Sequence, residues 1–260
     1  MLEALKERGM LLKNAPHLTQ NQPFIIPIYT WWDRIKYSAG LKIYDWMAGK
    51  LRLGKSRFIS KAETIRRLPA VNQTQLKGGV VYHDGQFDDA RLALNIAQTA
   101  DECGACILNY MKVSGLVKNE SGKIIGLKVI DEQSKEKLEI KANMVVNATG
   151  VFADKILQMD NPEAPKTIQP SQGIHLVMDL SFLGGKDALM IPKTRDGRVL
   201  FAVPWHDRLV VGTTDTLREK AKLEPEALQK EIDFVLETAS GYLTKKPTRA
   251  DVKAVFAGLR

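Results

Sequence analysis

The spacing of apolar residues divides the chain into two kinds of segment. From residue 31 to 49, Ile35, Ala39, Ile43 and Met47 recur every four positions, with Trp31, Trp32, Tyr44 and Trp46 among them. That period predicts a helix. Residues 88–103 repeat it with Leu92, Ile96, Thr99 and Cys103 on one face, and residues 225–240 with Leu228, Ile232, Val235 and Leu236. A short helix over 2–8 is expected to stop at Gly9. Ser60 followed by Glu63 predicts a capped helix that ends before Pro69. Another helix is expected between Val151 and Pro162.

Elsewhere the pattern is that of strands. They are predicted over 78–83, 105–110, 113–118, 124–131 and 137–142, and again over 174–178, 188–192, 199–204, 209–213 and 252–256. Pro23 and Pro27 hold residues 24–29 extended. Turns at 120–122 and 132–135 join the middle strands into a meander, and Asp196-Gly197 reads as a hairpin turn. Residues 144–147 are almost wholly apolar, as in a parallel strand covered on both faces. Helix-plus-meander and antiparallel zones alternate, which predicts an α/β (α+β) chain of interleaved domains.

Composition adds bounds. At 260 residues and 44% hydrophobic content the chain can bury a sizeable core. The net charge of +8 would suit nucleic acid, an acidic membrane face or anionic substrates. Lys and Arg are scattered rather than gathered into a stripe, which argues against nucleic acid. Cys103 and Cys106 form a lone pair without a second pair or a neighbouring His-x-x-x-His, so no metal site is expected. They read as two buried, reduced thiols, consistent with a reducing cytoplasm. No apolar run approaches the ~20 residues of a membrane span.

Five places could carry chemistry. Asn147-Ala-Thr-Gly150 ends the apolar run in a turn that lets backbone approach a phosphate or ribityl chain, or is an ordinary strand-to-helix turn. His175 lies between Ile174 and Leu176 on a strand, as a core histidine or as the base that takes a hydroxyl proton. Asp84, Asp88 and Asp89 precede Arg91, where Asp88 suits a helix N-cap and the group also suits ligand contact. Gly212-Thr-Thr-Asp-Thr216 gathers four polar side chains behind a glycine, as expected of a site-lining loop. Arg260, after Gly258, offers a guanidinium to an anion.

Taken in order along the chain, these stretches resemble the FAD-dependent glycerol-3-phosphate dehydrogenases. The matching segments are Leu11-Leu-Lys-Asn-Ala-Pro-His17, Gly78-Gly-Val-Val-Tyr-His-Asp-Gly-Gln86, Asp88-Asp-Ala-Arg-Leu92, Val145-Val-Asn-Ala-Thr-Gly150, Pro170-Ser-Gln-Gly-Ile-His175, Asp196-Gly-Arg-Val-Leu-Phe201, Pro204-Trp205, Gly212-Thr-Thr-Asp-Thr216 and Ala257-Gly-Leu-Arg260. The resemblance departs at Gln172, where Lys is common, and at Val151-Phe152, where Pro-Trp is common. It implies an amino-acid-oxidase-like fold, a partial FAD/NAD(P)-binding domain interleaved with an antiparallel-sheet substrate domain. The divisions expected are 1–87 for a substrate or cap region, 88–160 for the partial FAD domain with its meander, and 161–260 for the antiparallel substrate-binding domain.

The resemblance also implies roles. His175 and Arg260 correspond to catalytic and substrate-binding residues, Thr214 to a residue of the substrate loop, and Val113, Thr149 and Gly150 to FAD contacts. The activity implied is oxidation of sn-glycerol 3-phosphate to dihydroxyacetone phosphate, with electrons passing through FAD to a membrane quinone. The expected setting is cytoplasmic, peripheral on the inner face of the cell membrane, with no nucleic-acid partner, and a homodimer is one expected assembly. The 24–47 stretch reads either as a cap packed on the substrate domain or as an interfacial surface. Two alternatives stand beside this reading: a glycerophosphate oxidase that returns electrons to oxygen, and a non-catalytic assembly module. The 260 residues contain no Gly-x-Gly-x-x-Gly loop. The chain therefore reads as an internal piece of a larger flavoenzyme, expected by itself to be inactive and to hold no stoichiometric FAD.

Overall fold

The computed structural model describes residues 2–49 and 52–260. The chain forms two compact units. Residues 1–92, 173–216 and 224–258 make the first, and 93–172, 217–223 and 259–260 the second.

The first unit is organised by a large mixed sheet. Strand β1 (Thr19–Ile28) pairs antiparallel with β3 (Gly78–Phe87), whose other edge takes β2 (Arg57–Ser60). β1 also runs parallel to β8 (Ala188–Ile191) at Phe24 and Ile25, so Pro23 and Pro27, which lack an N–H, flank that short ladder. From β8 the sheet continues antiparallel through β9 (Leu200–Trp205) and β10 (Arg208–Gly212) to β7 (Ser171–Asp179). β11 (Thr216–Leu217) and β12 (Ala254–Leu259) also pair with β7.

Period-two alternation assigns each strand residue to one face. Ile174, Leu176 and Met178 of β7, Leu209 and Val211 of β10, and Leu200 and Ala202 of β9 are essentially inaccessible. They pack in one cluster with Val235, Leu236 and Ala239 of helix α6 (Gln229–Tyr242). The alternate residues, His175, Val177, Val210, Phe201 and Val203, line a cavity instead, together with Phe24 and Tyr82. Burying an aliphatic side chain contributes about 1.5–3 kcal/mol, so the face under α6 fixes the register of these strands. A slip of one residue would exchange His175 for Ile174.

Three helices complete this unit. α1 (Leu2–Asn14) runs through Gly9, which was expected to end it. A helical glycine costs only about 1 kcal/mol, and here Arg8 is held by Asp84 at 2.9 Å while Leu5 is buried. α2 (Trp31–Ala48) is capped by Thr30, whose hydroxyl accepts the Asp33 N–H. Its buried side is Tyr37, Leu41, Tyr44 and Ala48, not the Ile35–Met47 series. α3 (Lys61–Arg67) begins on the Ser60 cap as the sequence predicts.

In the second unit β4 (Met111–Lys118), β5 (Ile124–Asp131) and β6 (Lys137–Lys141) form the expected meander. α5 (Ala153–Asp160) follows a single tight turn at Gly150–Phe152. Two expected strands, 105–110 and 144–147, belong to no ladder among the described residues. An apolar run becomes a strand only where a neighbour takes its backbone groups. Among the described residues no neighbouring strand runs along either segment, and Met144 and Val146 are each 77% exposed. Helix α4 (Asp89–Glu102), which starts in the first unit and continues into the second, buries no residue, so its Ile96 face is open and the thiols after it, Cys103 and Cys106, are exposed rather than buried.

Candidate functional site

His175 stands on the cavity face of β7, where the ladder to β10 ends. It lies opposite Gly212, and Gly212 lies opposite Phe201. That glycine makes the space for the imidazole: a Cβ there would fall 2.5 Å from His175 Cδ2 and 2.6 Å from the Ile174 carbonyl oxygen. On its other side the ring stacks on Phe256 of β12, with centroids 5.1 Å apart and planes 13° from parallel. The imidazole is thus fixed in plane by an aromatic face and a missing side chain, and it is only half-buried.

The cavity it faces measures about 670 Å³. Its apolar lining includes Phe24, Tyr82, Val177, Val203 and Val210, and its polar lining Asp84, Gln86, Asp88, Asp89 and Arg208. Burial pushes the Tyr82 hydroxyl well above the phenol range, helped by Asp84 and Tyr44, so Tyr82 stays neutral. A small polyol fits such a volume. A second cavity of about 640 Å³ shares Gln86, Asp88 and Trp205 with it and is lined also by His17, Arg91 and His206.

The carboxylates of 84–89 have local duties. Asp84 holds Arg8 and lies 3.3 Å from the Tyr44 hydroxyl. Asp88 accepts the Arg91 N–H at 3.0 Å, as an N-cap does. Thr214 is 3% exposed. Its hydroxyl accepts the Ile174 N–H at 3.1 Å and donates to Glu231 Oε1 at 3.1 Å, so it faces the protein interior rather than the cavity.

The other residues singled out in the sequence lie in the second unit. Asn147 Oδ1 accepts the Thr149 hydroxyl at 2.8 Å, while Asn147 Nδ2 donates to the Ala153 carbonyl at 3.0 Å. These bonds shape a turn in which Gly150 takes φ of +54°, with nothing within 4 Å of where its Cβ would be. Thr149 and Gly150 are exposed, so backbone is open to a ligand there. Val113 pairs with Val129 beside a bulge that leaves Ser114 out of the ladder. Arg260 exchanges two 2.9 Å backbone hydrogen bonds with Ser171.

The sequence profile of the FAD dependent oxidoreductases matches residues 1–260. The chain belongs to that family. Within this FAD dependent oxidoreductase family, it is 39% identical to the mitochondrial glycerol-3-phosphate dehydrogenase of Schizosaccharomyces pombe over 269 aligned residues, covering 100% of this chain and 41% of that protein. The solved glycerol-3-phosphate dehydrogenase of Bacillus halodurans, complexed with FAD, is 31% identical and superposes with a TM-score of 0.83 over 98% of this chain and 46% of its own. The L-alpha-glycerophosphate oxidase of Mycoplasma pneumoniae shares the fold at a TM-score of 0.74 and 16% identity, covering 100% of this chain and 67% of the oxidase. The chain thus spans less than half the length of the two dehydrogenases.

Phe256, which stacks on His175, and Glu231, which bonds Thr214, carried no functional mark in the sequence. Phe256 gave no signal, because an aromatic in a terminal strand reads as core. Glu231 sits three residues after Leu228 at a helix start, a spacing that marks only a cap.

Proposed function

We propose that the chain is part of an FAD-dependent enzyme that oxidises sn-glycerol 3-phosphate to dihydroxyacetone phosphate. The observation that carries this reading is the seating of His175, an imidazole held between Gly212 and Phe256 at a cavity of polyol size. The names of the relatives support the choice of substrate.

Residues of this chain fit a flavin dinucleotide in part. Thr149 and Gly150 would hold it through an exposed turn with open backbone, and Val113 through the backbone beside a bulge. FAD, when bound, supplies the acceptor for the hydride of the secondary carbinol. His175 takes the proton from the substrate hydroxyl, a step for which an imidazole base suits. Phe256 and Gly212 keep the ring from turning away. Arg260 binds the phosphate, for which a guanidinium provides two parallel hydrogen bonds.

Electrons leave to a membrane quinone in this reading. The exposed side of α2 supports a peripheral membrane contact: Trp31, Trp32, Ile35, Ile43 and Trp46 are 57–81% exposed, beside exposed Lys36 and Lys42. Amphipathic rings next to basic residues suit an interface. Among the described residues no helix is long and apolar enough to cross a membrane. The test is turnover of the full-length protein with glycerol 3-phosphate, glycerol, glycine and proline, each with a short-chain quinone and with oxygen. Glycerol 3-phosphate with quinone should dominate. Preference for an amino acid would overturn the substrate, and preference for oxygen the acceptor.

One observation favours a second reading, assembly through an apolar surface. Ile107, Leu108, Met144 and Val146 of the second unit are each at least half exposed. Light scattering of the 260-residue chain tests it, a homodimer supporting assembly and a monomer excluding it.

A further inference from the structure

We infer that Glu231 is a positioning residue for His175, acting through Thr214. The inference rests on the proposed role of His175 as the base.

Glu231 lies in the first turn of α6, only 3% exposed. A carboxylate so placed is retained only if its lone pairs are met. Three donors contribute. Oε2 accepts the Leu228 N–H at 2.8 Å, while Oε1 accepts the Thr216 hydroxyl at 2.6 Å and the Thr214 hydroxyl at 3.1 Å. Thr214 in turn accepts the Ile174 N–H at 3.1 Å. The chain of contacts therefore runs from a buried carboxyl group to the backbone of the residue before His175.

The placement answers a local need. The β7–β10 ladder stops at the pair His175 and Gly212. Between that point and β11, where pairing with β7 resumes, the Thr214 hydroxyl ties the loop to the strand that carries the imidazole. A hydroxyl that donates to a carboxylate is polarised and becomes a stronger acceptor. Glu231 thus strengthens the Thr214–Ile174 bond as well as fixing its direction. By this route its effect on the chemistry is one of alignment.

Variants of the full-length enzyme separate this from general stability. Glu231→Gln keeps the shape but turns one oxygen into a donor, which must face either Leu228 N–H or the two hydroxyls. Misplacing a reacting group by about 1 Å costs up to ~10²-fold, so Glu231→Gln should lower kcat per bound flavin roughly 10–100-fold with KM changed less than about threefold. Thr214→Val should do the same, and Thr214→Ser, which keeps the hydroxyl, should restore most of the rate. In a His175→Ala background Glu231→Gln should cost nothing further. A full additional loss in that background would overturn the inference, as would wild-type kcat in Glu231→Gln or Thr214→Val while His175→Ala is crippled. If His175→Ala itself turns over normally, the base assignment has failed instead, whatever Glu231 does.

Discussion

Replacing Gly212 by alanine tests the seating of His175 with a single methyl group. The added carbon would lie 2.5 Å from His175 Cδ2, 2.9 Å from His175 Cγ and 2.6 Å from the Ile174 carbonyl oxygen. Carbon atoms settle about 3.5–4.0 Å apart, so the ring has to retreat by about 1 Å. Phe256 blocks retreat on the stacked side. The carbonyl belongs to a strand fixed by Ile174 and Leu176 in the core and cannot follow cheaply. Overpacking of this kind costs about 1–3 kcal/mol, and a 1 Å displacement of a reacting group costs on the order of 10²-fold in rate. The assay is kcat for glycerol 3-phosphate per bound flavin in the full-length enzyme, with thermal unfolding measured alongside. We expect kcat to fall by about 100-fold and the melting temperature by a few degrees. Gly241→Ala is the control, because nothing lies within 4 Å of its added Cβ. A Gly212→Ala enzyme within about threefold of wild-type kcat would refute the claim that this glycine seats the base.

Removing the imidazole altogether, His175→Ala, should lower kcat roughly 10²–10⁴-fold with a smaller effect on substrate affinity; steady-state kinetics that leave kcat within about threefold would return His175 to a packing role. Arg260→Lys should raise KM for glycerol 3-phosphate, since lysine lacks the guanidinium fork, and Arg260→Ala should nearly abolish turnover. Equal weakening of glycerol 3-phosphate and uncharged glycerol by Arg260→Ala would remove the phosphate role. His83 is held below the usual imidazole range by burial first and by the Arg67 guanidinium second, against opposing pulls from Asp45 and Asp187. The folded state therefore favours the neutral ring. Its contribution to stability is present above the unfolded value of about 6.5 and is lost as pH falls through the lower folded value. Urea midpoints should drop on acidification below about pH 6.5, and less so in His83→Gln; equal slopes for the two proteins would contradict the shift.

The antiparallel zone was legible because each strand there has one face in the core. The sequence put His175 on a strand between Ile174 and Leu176 and left a core or a site role open; the structure buries its two neighbours and turns His175 to the cavity. Where a segment is apolar all round, alternation carries no direction. Helix α2 has two apolar stripes, and the four-residue series Ile35, Ala39, Ile43, Met47 marked the outer one, while Tyr37, Leu41 and Tyr44 turned inward. The run at 144–147 failed for a related reason: an apolar segment reads alike whether or not a neighbour completes its ladder. The site was legible as residue types and not as contacts. His175 was visible in its strand, but its pairing with Phe256 joins residues 81 apart in sequence, and the Glu231–Thr214 bond spans 17. The polar loop after Gly212 drew notice, yet its buried threonine turned out to serve the backbone of β7.

The central claim is that this chain forms part of a flavoenzyme for glycerol 3-phosphate. Its most direct test is anaerobic mixing of the full-length, flavin-loaded protein with sn-glycerol 3-phosphate in a spectrophotometer. The oxidised flavin absorbance should bleach, and one equivalent of dihydroxyacetone phosphate should form per flavin. Flavin that stays oxidised under saturating glycerol 3-phosphate, or that bleaches with an amino acid instead, would contradict it.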